Sequence, residues 1–318
     1  MMDWTDRHCR YLHRLYTPHA LLYTEMIVAA AIVRGHAQRL LEFDAREHPV
    51  ALQLGGCDPV ELAAAARIGA AAGYAEINLN VGCPSDRVKN GAFGACLMLR
   101  PEVVVECVQR MREITDVPVT VKCRIGIDLE ESYEFFESFA QRMIGAGAAA
   151  LIVHARNAIL NGLSPKENRE IPPLKYEYVH RLKSAYPGLC VILNGGLQGV
   201  AEVVAQASRA PALDGFMLGR AAYHQPALLG VLDRTLIDPA FQPPTVPEVI
   251  ERMVAYARGQ MAGGMRLHSI SRHMHGIMAG REGARAWRRF LSELATRPES
   301  PPEALFAGLP IVKQGLAA

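Results

Sequence analysis

No apolar run in the 318-residue sequence approaches the ~18 residues that a membrane-spanning helix needs, so no membrane partner is expected. No two cysteines stand in a C-x-x-C arrangement, which argues against a structural zinc, and no metal is expected. The seven cysteines are odd in number and scattered, which does not read as a disulfide framework. The N-terminal residues do not read as a secretory signal, and a reducing cytoplasm is the expected home. Charge of one sign is scarce too: 34 basic against 32 acidic residues leave a net charge of +2. A polyanionic partner would have to be met by a local patch, not by the field of the whole molecule.

What is present is a chain 50% apolar and 21% charged, the profile of a globular protein with a sizeable core. Seven β-type runs alternate with amphipathic helical patterns. The runs are His19–Tyr23, Pro49–Leu54, Ala75–Asn80, Pro118–Cys123, Ala149–Ala155, Leu189–Gly195 and Asp214–Gly219. Between the second and third, Asp58 caps a helix, Pro59 takes its first position and Gly73 stops it. Apolar strands each followed by a helix specify a parallel sheet covered by helices. Their number within residues 1–237 favours a (β/α)8 TIM barrel over an open doubly wound sheet. The count is one short of eight. Thr5–Tyr16 is helical with no strand before it, so the first strand is expected to be missing. A proline-rich linker, Asp238–Glu248, precedes a small helical domain at 246–297, and 298–318 reads as an irregular tail.

Barrels carry their chemistry at the C-terminal ends of the strands. Here those ends hold Gln53, Asn78, Asn80, Cys83, Lys122, Arg124, His154, Arg156, Asn194-Gly195-Gly196 and Gly219-Arg220. The last two glycine-bearing turns follow the last two strands, where barrels often bind phosphate through backbone N–H groups; two ordinary βα turns are the competing reading. Strand alternation puts Val119, Val121 and Cys123 on one face and Thr120, Lys122 and Arg124 on the other. A lysine there is costly unless paired and suits an anion such as the N1–O2 edge of a reduced flavin; the alternative is a lysine snorkelling to solvent. His154 could meet a ring or a phosphate, or be a satisfied structural histidine. Cys83, where a strand stops and a loop opens, stands apart from the other six cysteines, which read as core.

The segments MMDWTDRHCR, ALQLGG, EINLNVGCPSDRV, VTVKCRIG, IVHAR, GLSPKENREIPPL, LNGG and MLGRAAY together resemble the tRNA-dihydrouridine synthases, specifically their A subfamily. The N-x-N-x-G-C-P-x segment, Asn78 to Ser85, is the most specific of these, and SPKENREIPPL points to the subfamily. The resemblance spans residue 1 to about 295. It implies an FMN-bound barrel with a C-terminal helical domain and NADPH-dependent reduction of uridines 20 and 20a in the tRNA D-loop. By the resemblance, Gln53, Lys122, His154, Asn194, Gly195, Gly196, Gly219 and Arg220 would hold FMN, with Met1 and Met2 at a turn whose backbone lies against the flavin. Cys83 would be the catalytic acid and Asn80 would help place the base. A hydride would reach C6 of the flipped uracil and a proton C5. An ordinary thiol, with a pKa of about 8.5, is mostly protonated at neutral pH and can give that proton. Because the chain starts at the methionines of the family's first-strand turn, it is expected to bind FMN weakly or to fold poorly.

From Met265 to Phe290 there are six arginines and one acid, Glu282. Arg281, Arg285, Arg288 and Arg289 share one helical face, and Trp287, Phe290, Leu291 and Leu294 the opposite one. A basic face of this kind meets phosphates, or is simply solvated. Arg272 and Arg285 are the tRNA contacts taken from it. The rim loop Asn161–Tyr176 is long enough to be functional, and by the resemblance Lys166 and Arg169 would touch tRNA. The protein is expected to be a monomer. Two rivals remain open: an FMN barrel acting on a small pyrimidine, of the dihydroorotate or dihydropyrimidine dehydrogenase kind, and a non-catalytic tRNA-binding protein.

Overall fold

Seven strands make one sheet in sequence order: β1 (Leu22–Val28), β2 (Val50–Gly55), β3 (Glu76–Val81), β4 (Val119–Arg124), β5 (Ala150–His154), β6 (Cys190–Asn194) and β7 (Gly215–Met217). From β2 to β7 every neighbouring pair is parallel. This is the α/β barrel sheet that the sequence implied, seen in a computed structural model that describes residues 1–35, 37–85, 91–297 and 299–316. Among the described residues, no helix is long and apolar enough to cross a membrane.

Alternation divides β2, β3 and β4 into two faces. Leu52, Leu54, Ile77, Leu79, Val81, Val119, Val121 and Cys123 are sealed in one cluster with Leu62, Ala65 and Ala66 of the helix Pro59–Ala71. Val104, Val108 and Met111 of the helix Pro101–Ile114 join the same cluster. That is the outer, helix-covered face. The opposite, inner face carries Gln53; Glu76, Asn78 and Asn80; and Thr120, Lys122 and Arg124, at registered positions. The helices start on side-chain caps: Asp58, as the sequence specified, accepts from the N–H groups of Val60 and Glu61, and Ser132 accepts from that of Phe135. Gly73, at φ +94°, ends the first of them in a conformation that favours glycine.

The chain forms two compact units, each described by itself. The sheet unit comprises Tyr23–Phe43 and Pro49–Leu218; the other comprises Met1–Leu22, Asp44–His48 and Gly219–Ala318. The N-terminal helix Arg7–Tyr16 and the helix Ala227–Leu236, both read from sequence as part of the 1–237 domain, therefore belong with the C-terminal helices. The core of this second unit gathers Leu12, Tyr16, Ile250, Met253, Ile270, Met274, Trp287 and Leu291. Trp287 Nε1–H donates to the carbonyl of Met274 at 2.8 Å.

Toward both ends of the chain the structure departs from the sequence reading. The first strand begins at Leu22, not His19, because Asp233 claims the preceding turn: its buried carboxylate accepts from the Thr17 hydroxyl and lies 2.6 Å from His19 Nδ1. The expected irregular tail is instead largely helical, as a 3-10 segment Pro302–Gly308 and a helix Leu309–Leu316. Its residues Pro298, Ala317 and Ala318 lie outside the described residues, as do Asp86, Arg87 and Val88 beyond Cys83.

Candidate active site

The inner-face side chains converge where β3 ends. Asn80 Oδ1 accepts from the backbone N–H groups of both Gly82 and Cys83, at 3.0 Å each, an Asx turn. The Gly82 carbonyl accepts from Arg124 Nε at 3.0 Å, and the Cys83 carbonyl from Ala95 N–H at 2.9 Å. All four backbone polar groups of Gly82 and Cys83 are thus paired. The half-buried Cys83 thiol, with Sγ 3.4 Å from Ser85 Oγ, rides on a fixed turn.

Behind the turn runs a chain of buried amides and hydroxyls. Asn80 Nδ2 donates to Gln53 Oε1 at 2.9 Å, Gln53 Nε2 to Asn78 Oδ1 at 2.9 Å, and Asn78 Nδ2 to Thr120 Oγ1 at 2.8 Å. Thr120 O–H donates to Glu76 Oε1 at 2.6 Å, and Tyr23 O–H donates to the same oxygen at 2.6 Å.

Further round the sheet, Lys122 Nζ donates to Asn194 Oδ1 at 3.0 Å, and Asn194 Nδ2 to the carbonyl of Met217 at 2.7 Å. Gly195 and Gly196 follow β6 at φ +105° and +69°. A Cβ on Gly195 would stand 2.3 Å from the His154 ring, and one on Gly196 2.4 Å from Leu174. Glycine is required at both. Tyr176 O–H donates to the Gly195 carbonyl at 2.7 Å, tying this turn to the end of the rim loop. Burial, then the charges of Arg124, Lys122, Arg156 and Arg169, push the His154 imidazole well below its ordinary value. It is neutral at physiological pH.

The rim loop is organised by Asn168, which is fully buried. Its Oδ1 accepts from Ile159 N–H, and its Nδ2 donates to the carbonyls of Ile159, Leu163 and Ser164. Arg124 joins loop to turn, since its Nη1 donates to the carbonyls of Asn157 and Asn168 while its Nε holds Gly82. Lys166 is exposed and Arg169 half-buried on this loop.

The remaining candidates lie in the second unit. Met1 packs against Gly219, with its sulfur 3.2 Å from where a Cβ would stand, while Met2 is exposed. Arg220 opens the short helix Arg220–His224. Arg285 and Arg288 are exposed on the helix Ala284–Ala295, Arg289 is exposed beside Glu293 at 3.6 Å, and Arg281 precedes the helix. Arg272 is already engaged: its Nη2 donates to Asp6 Oδ2 at 2.7 Å. Burial pushes the Asp6 carboxyl up, but His273, the Cys9 N–H and Arg272 outweigh it and hold it well below the carboxylate range.

Comparison with known proteins decides the family. The model of the dihydrouridine synthase (Dus) family matches residues 1–307. The chain belongs to the dihydrouridine synthase family. It is 51% identical over 316 residues to the tRNA-dihydrouridine(20/20a) synthase of Xanthomonas axonopodis pv. citri (strain 306), covering 99% of this chain and 91% of that protein. The tRNA-dihydrouridine(20/20a) synthase of Pasteurella multocida (strain Pm70) is 49% identical over 317 residues, covering 100% of this chain and 94% of that protein. Among solved structures, a complex of 2-naphthoyl-CoA reductase with 2-naphthoyl-CoA matches at a TM-score of 0.55 and 12% identity. That match covers 73% of this chain and 47% of the reductase chain, and speaks for the fold alone.

The inner face of this Dus barrel fits the flavin mononucleotide of the family. Two successive positive-φ glycines present backbone N–H groups of the kind that cradle an anion. The Gln53 amide, spending one N–H on Asn78, keeps a second. Lys122 stands ready with a positive charge. Burial, and after it the charge of Arg124, lowers its ammonium to about 8.

That shift carries a sign. The unfolded chain holds the lysine proton more tightly than the folded one, so the penalty is full below pH ~8 and is relieved as pH rises toward the ordinary lysine value of ~10.4. Without cofactor, Lys122→Met is expected to raise the melting temperature at pH 7 and to remove the gain in stability between pH 8 and 10. Calorimetry across that range reads both effects. A variant that melts with the wild type's pH dependence contradicts the assignment.

Sequence reasoning missed Glu76, Thr120, Tyr23 and Asn168. Strand alternation already put Glu76 on the face of Asn78 and Asn80, which is the signal that could have found it.

Proposed function

We propose that this protein reduces uridines 20 and 20a of tRNA to dihydrouridine, with FMN as cofactor and NADPH as reductant. The observation that carries the reading is the Cys83 turn, clamped by Asn80 and Arg124 beside the inner-face set Gln53, Lys122 and Asn194. The names borne by relatives at about 50% identity along nearly the whole chain support the same reaction.

When bound, FMN supplies the hydride for C6 of the uracil ring, after its own reduction by NADPH. The rest falls to this chain. Cys83 holds the proton for C5, so hydride and proton together saturate one C–C double bond. Asn80, whose Oδ1 is spent on the turn, has one Nδ2–H left with which to donate to a uracil carbonyl oxygen. Lys122 and the Gln53 amide would hold the flavin, Lys122 supplying a fixed positive charge against its reduced form. Asn194, Gly195 and Gly196, with the neutral His154 beside them, form a phosphate turn. Gly219, Arg220, Met1 and Met2 keep the cofactor roles read from their sequence positions. A base in a tRNA loop leaves its stack at less cost than one in a duplex.

Lys166 and Arg169 on the rim loop, and Arg285 on its exposed helix face, take the phosphates. Arg272 has one side of its guanidinium committed to Asp6 and contributes less. A dehydrogenase of small pyrimidines would share the barrel and the lysine but has no use for an arginine face. Each arginine that releases a counterion adds about 0.7–0.9 to the slope of log affinity against log salt. Arg285→Gln is therefore expected to lower that slope by about that amount, measured by tRNA titration at several salt concentrations. An unchanged slope removes Arg285 from the interface. We place the protein in the cytoplasm as a monomer.

The test of the function is nucleoside mass spectrometry of unmodified tRNA incubated with holoenzyme and NADPH. Two added mass units at each of uridines 20 and 20a are expected. No reduction there, or reduction of free uridine instead, overturns the reading.

A further inference from the structure

The bonds behind the Cys83 turn share one direction. Asn80, Gln53, Asn78 and Thr120 each donate to the next group along, and the last acceptor is Glu76. Burial pushes the Glu76 carboxyl up, and the Thr120 and Tyr23 hydroxyls draw it back; as a carboxylate it has no proton to give, so both hydroxyls point toward it. Their 2.6 Å lengths are those of charge-assisted O–H···O⁻ bonds. With the Thr120 hydrogen committed, its oxygen can only accept from Asn78. The Asn78 oxygen must then face Gln53, and the Gln53 oxygen must face Asn80. At the far end Asn80 is left presenting its oxygen to the N–H groups of Gly82 and Cys83.

The reverse sense is blocked at both ends. A flipped Asn80 would set an NH2 group against two N–H donors. Glu76 and Asn78 are on one strand with Asn80, Gln53 and Thr120 on its neighbours, and exposure of the three amides and Thr120 runs from 0 to 9%. Little water reaches them to repair a reversed bond, and a buried donor without an acceptor is expensive.

We propose that Glu76, through Thr120, Asn78 and Gln53, reinforces the amide direction that Asn80 takes against the Gly82 and Cys83 N–H groups and thereby holds the Cys83 thiol in place. Glu76 and Thr120 are positioning residues, several bonds removed from any substrate. The inference rests on Cys83 as the proton donor and adds what keeps it aligned.

Glu76→Gln removes the constraint at the far end, since a carboxamide can donate as well as accept. Thr120→Val removes the link at nearly constant shape, and Thr120→Ser restores it. The readout is alkylation of the folded protein by iodoacetamide, followed cysteine by cysteine by mass spectrometry. In Glu76→Gln and Thr120→Val the rate at Cys83 should change by about 3- to 10-fold, the scale of one buried hydrogen bond. The rate at the half-buried Cys57 should stay as in wild type, and Thr120→Ser should behave as wild type. With holoenzyme, single-turnover reduction of tRNA should fall by at least a similar factor in both variants and return to the wild-type rate in Thr120→Ser. An unchanged Cys83 rate in Thr120→Val overturns the proposal, as does an equal change at Cys57. The alkylation arm does not depend on the reaction: absence of tRNA reduction by wild type would sink the proposed function, while the Cys83 rates would still judge the chain. If Glu76→Gln does not fold, the Thr120 pair decides.

Discussion

Cys83→Ala is expected to lower single-turnover reduction of tRNA by about 10²- to 10⁴-fold, the usual worth of a positioned general acid. Reduction of the bound flavin by NADPH should keep its rate, because no proton is delivered to C5 in that half of the cycle. The substitution is a small change in a half-buried site whose backbone is held by Asn80, Arg124 and Ala95. The turn should therefore stand and the melting temperature stay within a few degrees. Cys83→Ser is the informative partner. Its hydroxyl sits at nearly the same place but is a far weaker acid than a thiol, so a rate near that of Cys83→Ala is expected. Stopped-flow absorbance of the flavin, run once with NADPH and once with tRNA, separates the two halves. Equal loss in both halves would make Cys83 a structural residue of the flavin site, and no loss in either would leave the proton donor elsewhere.

The inner-face residues were legible because two of the rules that put them there are local. Strand alternation assigned Thr120, Lys122 and Arg124 to one face, and that is the face on which Lys122 reaches Asn194. Asp58, Pro59 and Gly73 bracketed a helix with side-chain and backbone chemistry that acts within a few residues. What escaped was non-local. The start of β1 is set by Asp233, more than two hundred residues from Thr17 and His19. The tail from Pro302 to Leu316 is helical although it is rich in proline and glycine, and Leu305 and Val312 are buried in the core of the second unit. Asn168 reads in sequence as one more polar residue of a polar loop. Its importance lies in four bonds to backbone groups of Ile159, Leu163 and Ser164, which leave no trace in any neighbouring residue type. Arg272 stands in an arginine-rich stretch of sequence, and only the fold brings Asp6 to it.

Arg124→Met is expected to cost about 3 kcal/mol of stability or more, since it strands buried carbonyls at about 1–3 kcal/mol each. Arg124 is 2% exposed. Burial pushes its guanidinium down to about 10, so it stays charged at neutral pH. Its three donated bonds end on Gly82, Asn157 and Asn168: one carbonyl beside Cys83, one after β5 and one in the middle of the rim loop. Methionine can fill the volume of the stem but offers no donor to any of them. The loss should not be spread evenly. Limited proteolysis is expected to open the loop between Asn161 and Ile171 well below the melting temperature, and reduction of tRNA should fall further than reduction of the flavin. Arg124→Lys discriminates between charge and shape. An ammonium keeps the positive charge, yet it is a point donor that cannot span three carbonyls set around a planar fork. Partial recovery of the melting temperature without recovery of loop protection is the expected result. Full recovery by lysine would mean that charge alone holds the rim, and a methionine variant with wild-type stability and loop protection would mean that these carbonyls do not need the arginine.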